Sequence, residues 1–197
     1  MSRDFLPLSL RRLQAGAGYC QPTQALPNRV TMEDAAINVM TDLKRVSAVI
    51  VLPGDTINEA HRRMIERGVR LLLVVDANRK VVGLVTATDI LGEKPVQAAT
   101  ARRIPREDVR VGEIMVRQED LEVLELSDVQ AAKVGHVVAT LKKAGRQHAV
   151  VVEPEGEGQE RVRGLFSATQ IARQLGVSIQ TSEIARTFSQ IETMLSH

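Results

Sequence analysis

The chain reads twice. Gly83-Leu84-Val85-Thr86-Ala87-Thr88-Asp89-Ile90 returns as Gly164-Leu165-Phe166-Ser167-Ala168-Thr169-Gln170-Ile171, displaced by 81 residues. Upstream, Gly68 to Asp76 returns as Gly145 to Glu153, displaced by 77, and Asn38-Val39-Met40-Thr41 returns as Glu113-Ile114-Met115-Val116, displaced by 75. The order is kept and only the connections change length. The step from 77 to 81 falls where the polar turn Ala77–Lys80 becomes the longer stretch Pro154–Arg161, an insertion of the kind a hairpin tip tolerates. A duplication of this sort sets the architecture before any single residue is interpreted.

Each copy carries the same local signals. Thr56 and Glu59 stand at capping-box spacing, with Ile57, Ala60, Met64 and Ile65 following at helical intervals and Gly68 placed to stop the helix. Val134, Val137, Val138 and Leu141 repeat that stripe, and Gly145 repeats the stop. Leu71–Val75 and Ala149–Val152 are short, continuous, β-branched-rich runs, which predicts strands buried on both faces. Val81–Val85 and Val162–Phe166 are the next strands. Short helices open near Thr88 and Thr169, the second ending at Gly176. The predicted unit is β-α-β-β-α, twice, in a mixed α/β fold.

The flanks differ from the copies. Residues 1–37 hold Pro7, Pro22 and Pro27 and read as an extended arm, with a short helix near Thr31–Asp34 running into Met40. The first unit is set at 38–92, a charged linker at 93–108, the second unit at 109–176, and a C-terminal helix at 177–197. Ile184, Phe188, Ile191 and Leu195 stripe one face of that helix.

Lys and Arg number 26 against 24 Asp and Glu, and there is no Trp, one Tyr and three Phe. Nucleic-acid binding wants a concentrated basic face, often with aromatic platforms, so it is set aside. Cys20 is the only cysteine, which excludes an intrachain disulfide and fits a reducing compartment. Asp4 and Pro7 interrupt the apolar run a signal peptide needs, and no stretch approaches a membrane span of about 18 apolar residues. The expected location is the cytoplasm, by elimination. His61, His136, His148 and His197 show no metal-ligand spacing with one another or with Cys20, and no acid–base pair or activated nucleophile is visible.

The pattern Gly-x-x-Thr-x-x-Asp, at Gly83, Thr86 and Asp89 on the edge of a strand and a helix, resembles the cystathionine-β-synthase (CBS) domain family. Gly68-Val69-Arg70, the apolar strand and Asp76 are also typical of that family. The resemblance covers roughly 38–92 and 109–176. It implies a tandem pair of units packed with pseudo-two-fold symmetry, commonly a homodimer, acting as a regulatory module for a partner protein and not as an enzyme. It also implies an adenosine ligand (AMP, ADP, ATP or S-adenosylmethionine) in a cleft between units, with Mg²⁺ left open.

The same resemblance assigns roles. Asp89 would accept from the ribose 2′ and 3′ hydroxyls, since a carboxylate has acceptor sites for both. Thr86 and Thr88 would hold a phosphate at the helix start. Arg70 and His148 fall where phosphates are contacted, and apolar residues near Met40 and Met115 would flank the adenine. The second copy keeps Ser167 and Thr169 but carries Gln170 in place of the acid, so its site is expected to be weaker or empty. Plainer readings stand beside these: Thr86 and Asp89 as helix caps, Arg70 as a solvated charge, His148 as a core residue. They leave open a structural or dimerisation module whose nucleotide sites are vestigial.

Overall fold

The protein, described by a computed structural model over residues 24–156 and 158–177, starts with a 3-10 turn at Ala36–Val39 and strand β1 (Thr41–Asp42). The first unit follows: β2 (Ile50–Val51), α1 (Ile57–Arg67), β3 (Leu71–Val75), β4 (Val81–Thr86) and α2 (Ala87–Leu91). Helices α3 (Lys94–Arg102) and α4 (Val111–Ile114) lead to β5 (Val116–Arg117). The second unit runs β6 (Val123–Glu125), α5 (Leu126–Ala131), α6 (Val134–Ala144), β7 (His148–Gly156), β8 (Gln159–Ser167) and α7 (Ala168–Gln174). Thr56 and Glu59 form the reciprocal capping box at the start of α1, and Gly68 and Gly145 adopt the left-handed conformation that ends α1 and α6.

Two four-stranded sheets result, ordered β2-β3-β4-β5 and β1-β8-β7-β6. In each, one parallel pair (β2 with β3, β6 with β7) is followed by antiparallel neighbours. The fourth strand of each sheet is supplied by the other copy. β1, near the start of the first copy, pairs with β8, placing Thr41 opposite Leu165. β5, near the start of the second copy, pairs with β4, placing Val116 opposite Leu84. The loops before the long helices repeat the exchange: Val111 N donates to Asp55 O at 2.9 Å, as Ala36 N donates to Ala132 O at 2.9 Å. Packing therefore cuts across the contiguous division at 38–92 and 109–176. Arg163 on β8 clasps Asp42 on β1, with Nη2 at 3.0 Å from Oδ2, and fastens one of the exchanged segments.

Three apolar layers follow from the alternation of side chains along a strand. Leu72, Val74 and Val85 face α1 and α2, and are joined by Val109, Val111 and Ile114 from the exchanged segment. Val151 and Phe166 face α6 and α7 with Val30, Val39 and Met40 from the other. Leu71, Leu73 and Leu84 meet Val150 and Val152 between the sheets. This is why Leu71–Val75 is buried at every position.

Three local expectations are revised. Residues 93–108 are more than a connector, since Pro95 near the helix start and Arg103 in the left-handed region bound α3, and Ala98, Ala99 and Ile104 pack on the first core. Ile65 is 69% exposed: Ile57, Ala60 and Met64 share one face of α1, and Ile65 lies about 100° around the helix from Met64. The Thr31–Asp34 stretch is a turn, and the regular structure starts at Ala36. Of the arm, Gln24 bonds to Met40 O (2.9 Å) and Asp42 N (2.8 Å), and buried Gln174 donates to Pro27 O (2.8 Å). Residues 1–23 and the C-terminal stripe at Ile184, Phe188, Ile191 and Leu195 lie outside the described residues.

Candidate functional site

The strand-to-helix junction at β4 and α2 is built by three residues. Thr86 ends the strand and caps the helix, its Oγ1 accepting from Asp89 N at 3.3 Å. Asp89 returns the contact: Oδ2 accepts from Thr86 N at 2.9 Å and from Thr86 Oγ1 at 2.6 Å. The capping reading of these residues is thus realised. Lys94, one turn further on in α3, donates from Nζ to Asp89 Oδ1 at 2.6 Å and to Ile114 O at 3.2 Å. The carboxylate is 12% exposed and held from two sides, so its orientation is fixed.

A cleft of about 220 Å³ opens beside it. Leu84, Val116, Leu121 and Val150 form its apolar wall, and Thr86, Thr88 and Asp89 one polar end. The second copy closes the other side with Arg146, Gln147 and His148. Chemically this is a slot that can take a flat apolar group between the sheets and present a carboxylate, hydroxyls and a helix start to the polar part of the same molecule.

Of the residues singled out in the sequence, Thr86, Thr88, Asp89 and His148 converge on this cleft. Arg70 does not line it; the equivalent residue of the second copy, Gln147, does. The Asp89 junction thus faces the Gly145–His148 segment of the second copy. Gln147 was missed because the crossed arrangement is not visible in either copy alone. Glu122 and Lys94 were missed too, since neither belongs to the repeated motif, and so was Arg146, whose counterpart in the first copy is the apolar Val69. Near Met115, Val116 lines the apolar wall, while Met115 itself lies against Gly83; Met40 is fully buried against Gly164.

Ser167, Thr169 and Gln170 sit at the matching junction of β8 and α7, where Ala168 N donates to Gln147 O at 2.8 Å. Ser167 makes no side-chain cap bond there, in contrast to Thr86. None of the three lines the Asp89 cleft.

Burial, and after it the charge of Arg70, holds the pKa of His148 down at about 4, against the opposing pull of Asp89. The imidazole is therefore neutral at physiological pH. The folded value lies below the ordinary 6.5, so the unfolded chain binds the proton more readily. Stability is complete above about pH 6.5 and is lost as pH falls through that value toward 4, by roughly 3 kcal/mol in all. A His148→Leu variant is expected to flatten this part of the acid limb in urea unfolding followed from pH 7 to 4. An unchanged slope would mean that His148 is not the group responsible.

Among the described residues no group of three or more His, Cys, Asp or Glu could hold a metal ion, and no helix is long and apolar enough to cross a membrane.

Residues 35–95, which carry the first unit and the Gly83–Thr86–Asp89 junction, match the CBS domain family. That stretch is a CBS domain. An uncharacterized protein of Methanopyrus kandleri is 36% identical over 62 residues, which span 32% of each chain, about a third of that relative's length. An uncharacterized 17.7 kDa protein of Acidianus ambivalens is 24% identical over 155 residues, 78% of this chain and 82% of that one. Among solved structures, an uncharacterized conserved protein from Pyrococcus horikoshii superposes with a TM-score of 0.54 at 24% identity, covering 78% of this chain and 100% of the other. CBSX2 in complex with AMP superposes with a TM-score of 0.51 at 19% identity, covering 71% and 94%. The two crossed four-stranded sheets with their helices are thus the fold of a CBS pair.

Proposed function

We propose that this protein is a regulatory module that binds an adenosine compound in the Asp89 cleft and presents the resulting state to a partner protein. The observation that carries the reading is the convergence of Thr86, Thr88 and Asp89 from one copy with Gln147 and His148 from the other on a slot with apolar walls. Adenine lies between the sheets against Leu84, Val116 and Val150, and the ribose hydroxyls reach Asp89. The likeness in fold to CBSX2, a protein solved with AMP, supports an adenosine ligand. Occupancy ties the two copies together across the cleft. A partner that distinguishes the tied from the untied form reads the ligand, and linkage requires that the partner change the ligand's affinity in turn. The protein works by binding and not by turnover, as a homodimer in the cytoplasm.

Thermal unfolding with AMP, ADP, ATP and S-adenosylmethionine, each with and without Mg²⁺, tests the proposal. A ligand at a hundred times its Kd adds about 2.7 kcal/mol, which raises the Tm by several degrees. Flat traces from folded protein across the panel would leave the module a structural or dimerisation role.

A further inference from the structure

Lys94 is the first residue of α3, where a cation opposes the positive end of the helix. Its ammonium is committed to two other elements. Nζ reaches Asp89 Oδ1 at 2.6 Å and the carbonyl oxygen of Ile114, the last residue of α4, at 3.2 Å. One side chain thus joins the polar end of the cleft to the exchanged segment of the second copy, just ahead of Val116 in the apolar wall. An ionised carboxylate has about four acceptor sites, two on each oxygen. On Asp89 the sites of Oδ2 are filled by Thr86 N at 2.9 Å and Thr86 Oγ1 at 2.6 Å. Lys94 takes one site of Oδ1, and among the described residues one site is left. That is room for one hydroxyl, and a ribose diol brings two.

We infer that Lys94 competes with the ligand's diol for Asp89 Oδ1, so that it sets the affinity of the cleft and is released when the cleft fills. The inference rests on the adenosine reading of the cleft above and assigns that site its regulating residue. The exchange costs little, because Lys94 is 46% exposed and a freed ammonium returns to water. Thr86 still holds the carboxylate from the other side, so Asp89 keeps its orientation when Lys94 leaves. What changes is the seam between α3 and α4. Lys94, no longer anchored on Asp89, stops pinning the start of α3 to Ile114, while the Arg102–Glu113 pair at 2.7 Å remains further along the same two helices. The ligand thereby ties the copies at the cleft and loosens them at this seam, which gives the filled state a mark outside the cleft.

Calorimetric titration of the full chain with adenosine and AMP, each beside its 2′-deoxy counterpart, tests the inference. Lys94→Met is expected to raise the preference for the diol over the single hydroxyl by about fivefold in each pair. Comparing within a pair cancels whatever the lost charge does to the phosphate. Hydrogen exchange reads the release itself. The amides of Gln97 and Met115, bonded in the first turn of α3 and at the end of α4, should exchange faster when AMP is added to the wild type and should not respond in Lys94→Met. A preference for the diol that is unchanged or reduced in Lys94→Met would overturn the inference and leave the adenosine reading standing. So would wild-type amides that AMP binding leaves as protected as before. Failure of all four compounds to bind either protein would overturn both.

Discussion

Replacing Asp89 by alanine is expected to abolish ligand binding in the cleft, a loss of roughly a hundredfold or more, while Gln170→Ala changes little. The ribose diol offers two hydrogens to one ionised carboxylate, and hydrogen bonds to charged groups contribute about 1.5–3 kcal/mol each. Two of them lost together give a factor of that size. Asp89 also closes the capping box with Thr86 and receives Lys94 Nζ at 2.6 Å, so alanine costs the fold about 1 kcal/mol besides. The companion variant Asp89→Asn separates the two effects. It keeps an acceptor for the cap and gives up the charge, so it should unfold near the wild-type midpoint and still bind poorly. Titration of the three variants, with urea unfolding alongside, makes the comparison. Equal loss from Asp89→Ala and Gln170→Ala would overturn the reading of one competent junction.

The largest effect on stability is expected at Gly83. A Cβ there would stand 2.4 Å from the carbonyl oxygen of Val116 and 3.0 Å from Met115 Sδ. The oxygen belongs to β5, which is paired to β4 with Gly83 opposite Arg117, so it cannot withdraw without opening the edge of the sheet. Gly83→Ala should cost about 3 kcal/mol, at the upper end of overpacking. Gly164 is its counterpart, but an added methyl there meets the side chain of Met40, at 2.6 Å from Sδ. Methionine can change rotamer where a carbonyl in a ladder cannot, so Gly164→Ala should cost less. Urea midpoints with an unchanged m-value would measure both. A Gly83→Ala protein as stable as Gly164→Ala would mean that β5 is not held against β4 in the way described.

Much of the fold was legible because its signals are local. The capping box at Thr56 and Glu59, the stop glycines Gly68 and Gly145, and the buried run Leu71–Val75 each announce an element within a few residues, and the repeat set them in order twice. The exchange of β1 and β5 was not legible. Thr41 and Val116 are each one position in a two-residue strand, and nothing near them in the chain names a partner far away. The same gap explains the site. Thr86, Thr88 and Asp89 follow from one motif, whereas placing Gln147 and not Arg70 in the cleft requires knowing which segment of the second copy lies opposite that motif. Helix α3 went unread because its charged, alanine-containing sequence looks like a connector until Lys94 is seen on Asp89.

The exchanged strands bear on how such a chain is made. During synthesis the first unit emerges with α1, β3, β4 and α2 in hand, but without Val109, Val111 and Ile114 to close its core or β5 to cover its edge. Meanwhile Val39, Met40 and β1 are already outside the ribosome with nothing to pack on, since Phe166 and β8 come far later in the chain. The first half can close once residues 109–117 follow it, whereas β1 stays unpaired until β8 is made. The two copies are repeats, yet each borrows a segment from its sibling, and β1, made ahead of the first sheet, finds its place only after β8.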